Sequence, residues 1–102
     1  MYSMADLLSL LVTERAEELQ IRVGASPAVV LRGERHSIEG PPVSTENSAE
    51  LLRSIADSRQ TRELFERGTV AFIHTFQGAS RFLVEAKANE GFVELKVSRL
   101  TL

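Results

Sequence analysis

The sequence predicts an α+β fold, PAS-like in layout, with a mostly antiparallel sheet of about six strands and about three helices packed on one of its faces. Three observations predict it. An apolar stripe at helical spacing near the N-terminus gives way to period-two alternation at Glu18. Gly40-Pro41-Pro42 then separates a strand-rich stretch from a pair of capped helical segments. The last third alternates apolar and polar residues in runs parted by glycine-bearing turns.

Ser3 followed by Asp6 resembles a capping box, and Leu7, Leu8, Leu10, Leu11 and Ala16 fall largely on one stripe. The first helix is therefore expected from Met4 to Glu18. Leu19, Ile21 and Val23 then alternate with Glu18, Gln20 and Arg22, which reads as a strand. After the turn Gly24-Ala25-Ser26-Pro27, a second strand covers Ala28–Arg32, and past Gly33-Glu34 a short third covers Arg35–Ile38. Ser44 or Thr45 caps a second helix with Leu51, Leu52, Ile55 and Ala56 as its apolar face. Asp57-Ser58 caps a third through Arg67, with Leu64 and Phe65 as its buried contacts and Gly68 at the C′ position. The final meander turns Val70, Phe72, His74 and Phe76 to one side, then Phe82, Val84 and Ala86, then Val93, Leu95 and Val97.

At 102 residues the chain has the size of one domain, expected to span 1–102. Hydrophobic residues make up 43% and charged residues 25%, the composition of a globular protein. The net charge is −2 and the basic residues, mostly Arg, are scattered. No basic stripe marks a nucleic-acid binder, and no polybasic segment marks a membrane surface. The chain has no Cys, which removes disulfides, thiolate metal sites and cysteine nucleophiles together. Met1–Asp6 holds no basic residue, and Leu7–Val12 is too short an apolar run for a signal peptide or a bilayer span, so a cytoplasmic protein is expected.

The chemistry of catalysis is missing. There is no GxxxxGK[ST] loop for a triphosphate. His36 and His74 have no HxH, HExxH or acidic cluster beside them, so no metal and no cofactor are expected. Glu17 and Glu18, near the end of the first helix, point in different directions and read as solvated. Ser58, Ser80 and Ser98 have no identifiable base. Leu83 is the odd residue: it stands where an alternating strand calls for Arg or Lys, either as a lone exposed apolar side chain or as part of a contact patch.

The order of elements, from Asp6 to about Leu100, resembles the N-terminal domain of the PilT-type ATPases of type IV pilus retraction and type II secretion. Leu7-Leu8 lies in the opening helix, and Gly24-Ala25-Ser26-Pro27 is similar to the family's Gly-x-Pro-Pro turn. Gly33 fits the glycine after the second strand, and Pro42-Val43 fits a Pro-Leu pair. Leu64-Phe65-Glu66-Arg67-Gly68 stands where the family has a short helix, and Arg81-Phe82-Leu83-Val84 resembles its Arg-Phe-Arg-Val strand. The departures are as informative. The family's Ala-Ser-Asp-Leu-His box is Ala16-Glu17-Glu18-Leu19-Gln20 here, without its Asp and His. Arginines of the family fall at Val30, at Leu83 and at Ser98, the last with Arg99 beside it; Arg81 survives.

The resemblance implies that those arginines reach towards nucleotide phosphates, a task suited to a planar guanidinium. This chain keeps the scaffold and lacks most of that equipment, with Arg81 the one nucleotide candidate left. The expectation is a bacterial, non-catalytic interaction or regulatory module. Its partner would be a pilus or secretion ATPase, that motor's membrane platform, or a second copy of the chain, with no nucleic acid and no direct membrane insertion. Leu83, Arg81, Phe92 and Val30 are the candidate interaction surface. Two alternatives stand beside it. One is a dimerising PAS-like sensor with His74 lining a small-molecule pocket. The other is the N-domain of a longer ATPase whose catalytic domain would follow Leu102.

Overall fold

Helix α1 spans Met4–Thr13, because Ser3 Oγ accepts the Asp6 N–H at 3.1 Å and Met4, Leu7, Leu8 and Leu11 bury one continuous stripe. The helix stops five residues before the expected Glu18, counting from Thr13. Arg15 adopts φ 56°, the Arg15 N–H donates to the Val12 carbonyl, and the Ala16 N–H donates to the Leu11 carbonyl. That is a Schellman ending with arginine where glycine is usual, at a cost of about 1–2 kcal/mol for the left-handed backbone. Burial of Ala16 and the apolar stripe offsets it. Glu17 and Glu18 therefore lie outside the helix, and Glu18 opens the first strand.

The computed structural model describes residues 1–100. Strands β1 (Glu18–Ile21), β2 (Ala28–Leu31) and β3 (Glu34–Ser37) form one meander. Strands β4 (Thr69–Phe76), β5 (Ser80–Asn89) and β6 (Phe92–Arg99) form another. All pairings are antiparallel, and the sheet order β3-β2-β1-β6-β5-β4 joins the meanders through β1 and β6. The β2–β3 and β5–β6 hairpins use two-residue loops, Arg32-Gly33 and Glu90-Gly91, with positive φ at both positions. This is the type I′ geometry whose twist matches the flanking strands.

Helices α2 (Thr45–Arg53) and α3 (Ser58–Arg67) come between the meanders. Ser44 caps α2, and Asp57 and Gln60 make a reciprocal capping box on α3. Gly68 ends α3 at φ 84°. Leu51 and Leu52 of α2 and Leu64 of α3 join the α1 stripe over Leu19, Ile21, Phe82, Val84, Leu95 and Val97 of the sheet. Phe65 departs from expectation: it is 65% exposed. Its side chain is turned about 100° from Leu64 on the helix, and a single narrow stripe is all that α3 buries. The helices thus cover one sheet face and leave the other open, the α+β layout expected and one compatible with a PAS-like arrangement.

Candidate interaction surface

Strand alternation decides what the open face presents. Directly opposed residues share a face, so the register defines rows across the sheet. One row runs Arg35, Val30, Glu18, Ser98, Leu83, Ile73 from edge to edge. Val30, Ser98 and Leu83, three positions where the family resemblance implies arginine, therefore lie on a single line over four neighbouring strands. Arg81 is two residues along β5 from Leu83, on the same face and exposed. Arg99 pairs with Phe82 on the helix side, so it does not replace the side chain missing at Ser98.

Beside this row the face is a lattice of opposite charges. Arg35 Nε donates to Gln20 Oε1 at 2.9 Å, Gln20 Nε2 donates to Glu18 Oε2 at 2.7 Å, and Lys96 Nζ lies 3.7 Å from Glu18 Oε1. Lys96 stands opposite Glu85, and Glu94 opposite Lys87. Complementary cross-strand pairs of this kind stabilise by about 0.2–1 kcal/mol each and hold the face in one charge pattern. Glu18, Gln20 and the Lys96–Glu85 and Glu94–Lys87 pairs, with Arg22 and Thr69, line a shallow depression of about 500 Å³. It is broad, and half of its lining residues are charged.

The four proposed surface residues all lie on this face, but not as one patch. Val30 and Leu83 are half-buried in the same row, flanking Glu18 and Ser98. Phe92, 45% exposed, sits at the other end of β6 opposite Asn89. Six residues separate it from Ser98, roughly 20 Å of strand. Sequence reading missed Ile73, which is 51% exposed and directly opposite Leu83. Its signal was present in the alternation of β4, where Ile73 falls out of phase with Val70, Phe72 and Phe76.

The other candidates separate. His36 and His74 are on β3 and β4, the opposite edges of the sheet. No cluster of metal-ligating side chains forms among the described residues. His36 Nε2 lies 3.7 Å from Glu34 in solvent. Glu17 Oε1 accepts the Gly33 N–H at 3.2 Å and so braces the β2–β3 turn, while Glu18 faces Lys96. Ser58, Ser80 and Ser98 are on α3, β5 and β6 respectively.

His74 is half-buried on the helix side, where it lines a cleft of about 290 Å³ with Ser3, Met4, Leu8, Ser54, Ile55 and Phe76. This is at the lower bound of the ~300–1,000 Å³ of small-molecule sites. Burial holds the His74 imidazole below its ordinary range. The folded chain therefore disfavours the imidazolium, and between the folded and unfolded values the unfolded chain binds more protons. Stability is complete above the unfolded value of 6.5 and falls as pH drops through it. Urea midpoints should fall between pH 7.5 and 5.5, and fall less in His74→Gln.

No helix among the described residues is long and apolar enough to cross a membrane. No protein-family model matches the chain, and no curated protein matches it in sequence. Solved structures do match in fold. The pilus retraction motor PilT with bound ADP superimposes with a TM-score of 0.89 at 22% identity over 99% of this chain. The ATPase DotB of Legionella pneumophila follows at 0.77 and 19% identity over 99%, and that of Yersinia pseudotuberculosis at 0.75 and 12% over 95%. This chain spans only 30%, 29% and 29% of those proteins. The chain thus has the fold of about three tenths of a PilT-type motor, which agrees with the N-terminal-domain resemblance drawn from its sequence.

Proposed function

We propose that the chain is a non-catalytic interaction module of the pilus and secretion motor type, working in the cytoplasm through the open face of its sheet. The observation that carries this reading is the row Val30–Glu18–Ser98–Leu83. The resemblance implies arginines at three of its positions, and a valine, a serine and a leucine occupy them on a backbone that matches PilT at a TM-score of 0.89. An arginine row would offer several planar donors to phosphate. The row found here offers a carboxylate flanked by apolar and hydroxyl groups, which suits a protein surface. Arg81 alone does not rebuild a phosphate site made of several such donors.

The partner of this face is a motor ATPase of the PilT type or the membrane platform that such a motor serves. The test is direct binding of the 102-residue chain to a purified PilT-type ATPase and to the cytoplasmic part of its platform. Leu83→Asp with Arg81→Glu should weaken the complex at least tenfold, a loss of about 1.4 kcal/mol. Equal affinity of the double variant would remove the open face from the assignment. Failure of the native chain to bind either partner would remove the function.

A further inference from the structure

The two edges of the sheet are built differently. Strand β3 is four residues, Glu34-Arg35-His36-Ser37, all exposed and mostly charged or ionisable. Short, charged edges resist pairing with other chains. Strand β4, the other edge, is eight residues, Thr-Val-Ala-Phe-Ile-His-Thr-Phe. From Gly68 to Ser80 the chain has no Asp, Glu, Lys, Arg or Pro. Nothing along β4 guards its backbone.

The hydrogen-bond parity of that edge is fixed. The Ala88 N–H donates to the Gly68 carbonyl at 2.9 Å, and bonded positions alternate along an antiparallel pair. Val70, Phe72, His74 and Phe76 therefore spend their backbone groups on β5. Thr69, Ala71, Ile73 and Thr75 point theirs away from the sheet, and all four residues are exposed.

We infer that β4 is a self-association edge, pairing antiparallel with β4 of a second copy of this chain about a two-fold axis at Ile73. That axis places Ala71 opposite Thr75 of the second copy and Ile73 opposite itself. Ala71, Ile73 and Thr75 each then meet an outward-pointing residue, while Thr69 falls opposite the turn just past Phe76, and the helices of both copies stay on the same side of a continuous sheet. A register shifted by one residue fails both conditions. The Ile73 register also lines up Leu83 and Ile73 with their counterparts, since Leu83 is directly opposite Ile73 within each chain. One apolar stripe then crosses the seam and covers the most exposed large side chain of the strand.

Charge decides between this partner and an endless array. The uncharged β4 meets itself without repulsion, whereas β4 against β3 of a neighbour would put Glu34 and Arg35 beside an apolar strip. Two-fold pairing uses up the bare edge and leaves β3 at both ends, so assembly closes at two. A strip one strand long, ~26 Å, buries less than the ~1,200 Å² of tight complexes. The dimer is accordingly concentration-dependent.

Sedimentation velocity of the 102-residue chain from about 10 μM to 1 mM tests this, a range set by the weak-interface class. The expected result is a reversible monomer–dimer equilibrium, lost in Ile73→Lys with an unchanged far-ultraviolet spectrum. A native chain that stays monomeric, an Ile73→Lys chain that still dimerises, or growth past the dimer would each overturn the proposal. Because the chain has no Cys, a second test does not depend on that variant folding. Ile73→Cys should oxidise to a disulfide-linked dimer, its Cα separation of ~5.5 Å lying inside the disulfide range. His36→Cys on β3 should not, and equal cross-linking at both edges would also sink the idea. Both tests use the chain alone, so their outcome is independent of binding to a motor.

Discussion

Phe82→Ala lowers the free energy of unfolding by about 3–5 kcal/mol and the melting temperature by roughly 15–30 °C. Phe82 is the largest of the fully buried side chains, at 0% exposure in the middle of the helix-covered face. It stands opposite His74 and packs its ring against Phe76, with centroids 6.5 Å apart and planes tilted by 52°. Truncation removes that contact and opens a cavity between β5 and the helices that fixed strands cannot collapse to fill. A chain of this length is stable by only about 5–15 kcal/mol, so one side chain holds a large share. Phe82→Leu should recover most of the loss, because it restores volume without the aromatic contact. Urea and thermal unfolding measure both variants. A loss below about 1 kcal/mol for Phe82→Ala would mean that this core is loosely packed, contrary to the burial.

The burial of Phe82 is also legible in the alternation of its strand, and the reason shows where sequence reading works. Strict alternation in β5 assigns Phe82, Val84 and Ala86 to one side and Arg81, Leu83 and Glu85 to the other. The same period-two rule places the buried residues of β1 and β6. Capping residues locate the helix starts, since Ser3, Ser44 and Asp57 all accept first-turn N–H groups. The end of α1 is not legible because Arg15 takes a backbone conformation that glycine normally marks. Phe65 misleads because its hydrophobicity carries no information on how narrow a stripe α3 buries.

The candidate site is legible as a set of residues and not as a surface. Alternation says which side of a strand a residue faces, but not which strand lies next to it. Val30, Ser98 and Leu83 are far apart in the chain and become one row only through the pairing of β1 with β6. That pairing joins the two meanders, and its partners are separated by most of the sequence. The opposite behaviour of Ser98 and Arg99 has the same origin: neighbours in sequence, they leave β6 on opposite faces. The bare β4 edge, by contrast, is written in composition, as the uncharged run from Gly68 to Ser80.

Asn47→Leu should cost about 2–4 kcal/mol, although Asn47 belongs to a helix and not to the open face of the sheet. It is buried in the first turn of α2, where its own N–H donates to Ser44 Oγ at 3.0 Å. Its side chain serves a different segment. Asn47 Oδ1 accepts the Tyr2 N–H at 3.0 Å, and Asn47 Nδ2 donates to the Tyr2 carbonyl at 3.1 Å. The amide thus imitates a strand partner and satisfies both backbone groups of Tyr2 at once. Tyr2 also donates its hydroxyl to the Pro41 carbonyl, and a Cβ on Gly40 would lie 2.5 Å from that hydroxyl oxygen. The residues just before α1 are therefore tied to α2 and to the Gly40-Pro41 bend. Leucine keeps asparagine's branching, with a somewhat larger volume, but leaves a part-buried donor and acceptor unmet, and each unmet group costs about 1–3 kcal/mol. Asn47→Asp keeps the acceptor, loses the donor and places a carboxylate against the Tyr2 carbonyl. The N-terminal end of α2 favours that negative charge by about 0.3–1 kcal/mol, which only partly offsets the clash. Tyr2→Phe, which removes only the hydroxyl bond, should cost less than either. Urea unfolding ranks the variants, and amide exchange at Tyr2 identifies the cause. If Tyr2 exchanges at the same rate in native and Asn47→Leu chains, the tie is not made in solution, and α1 is held by its apolar stripe alone.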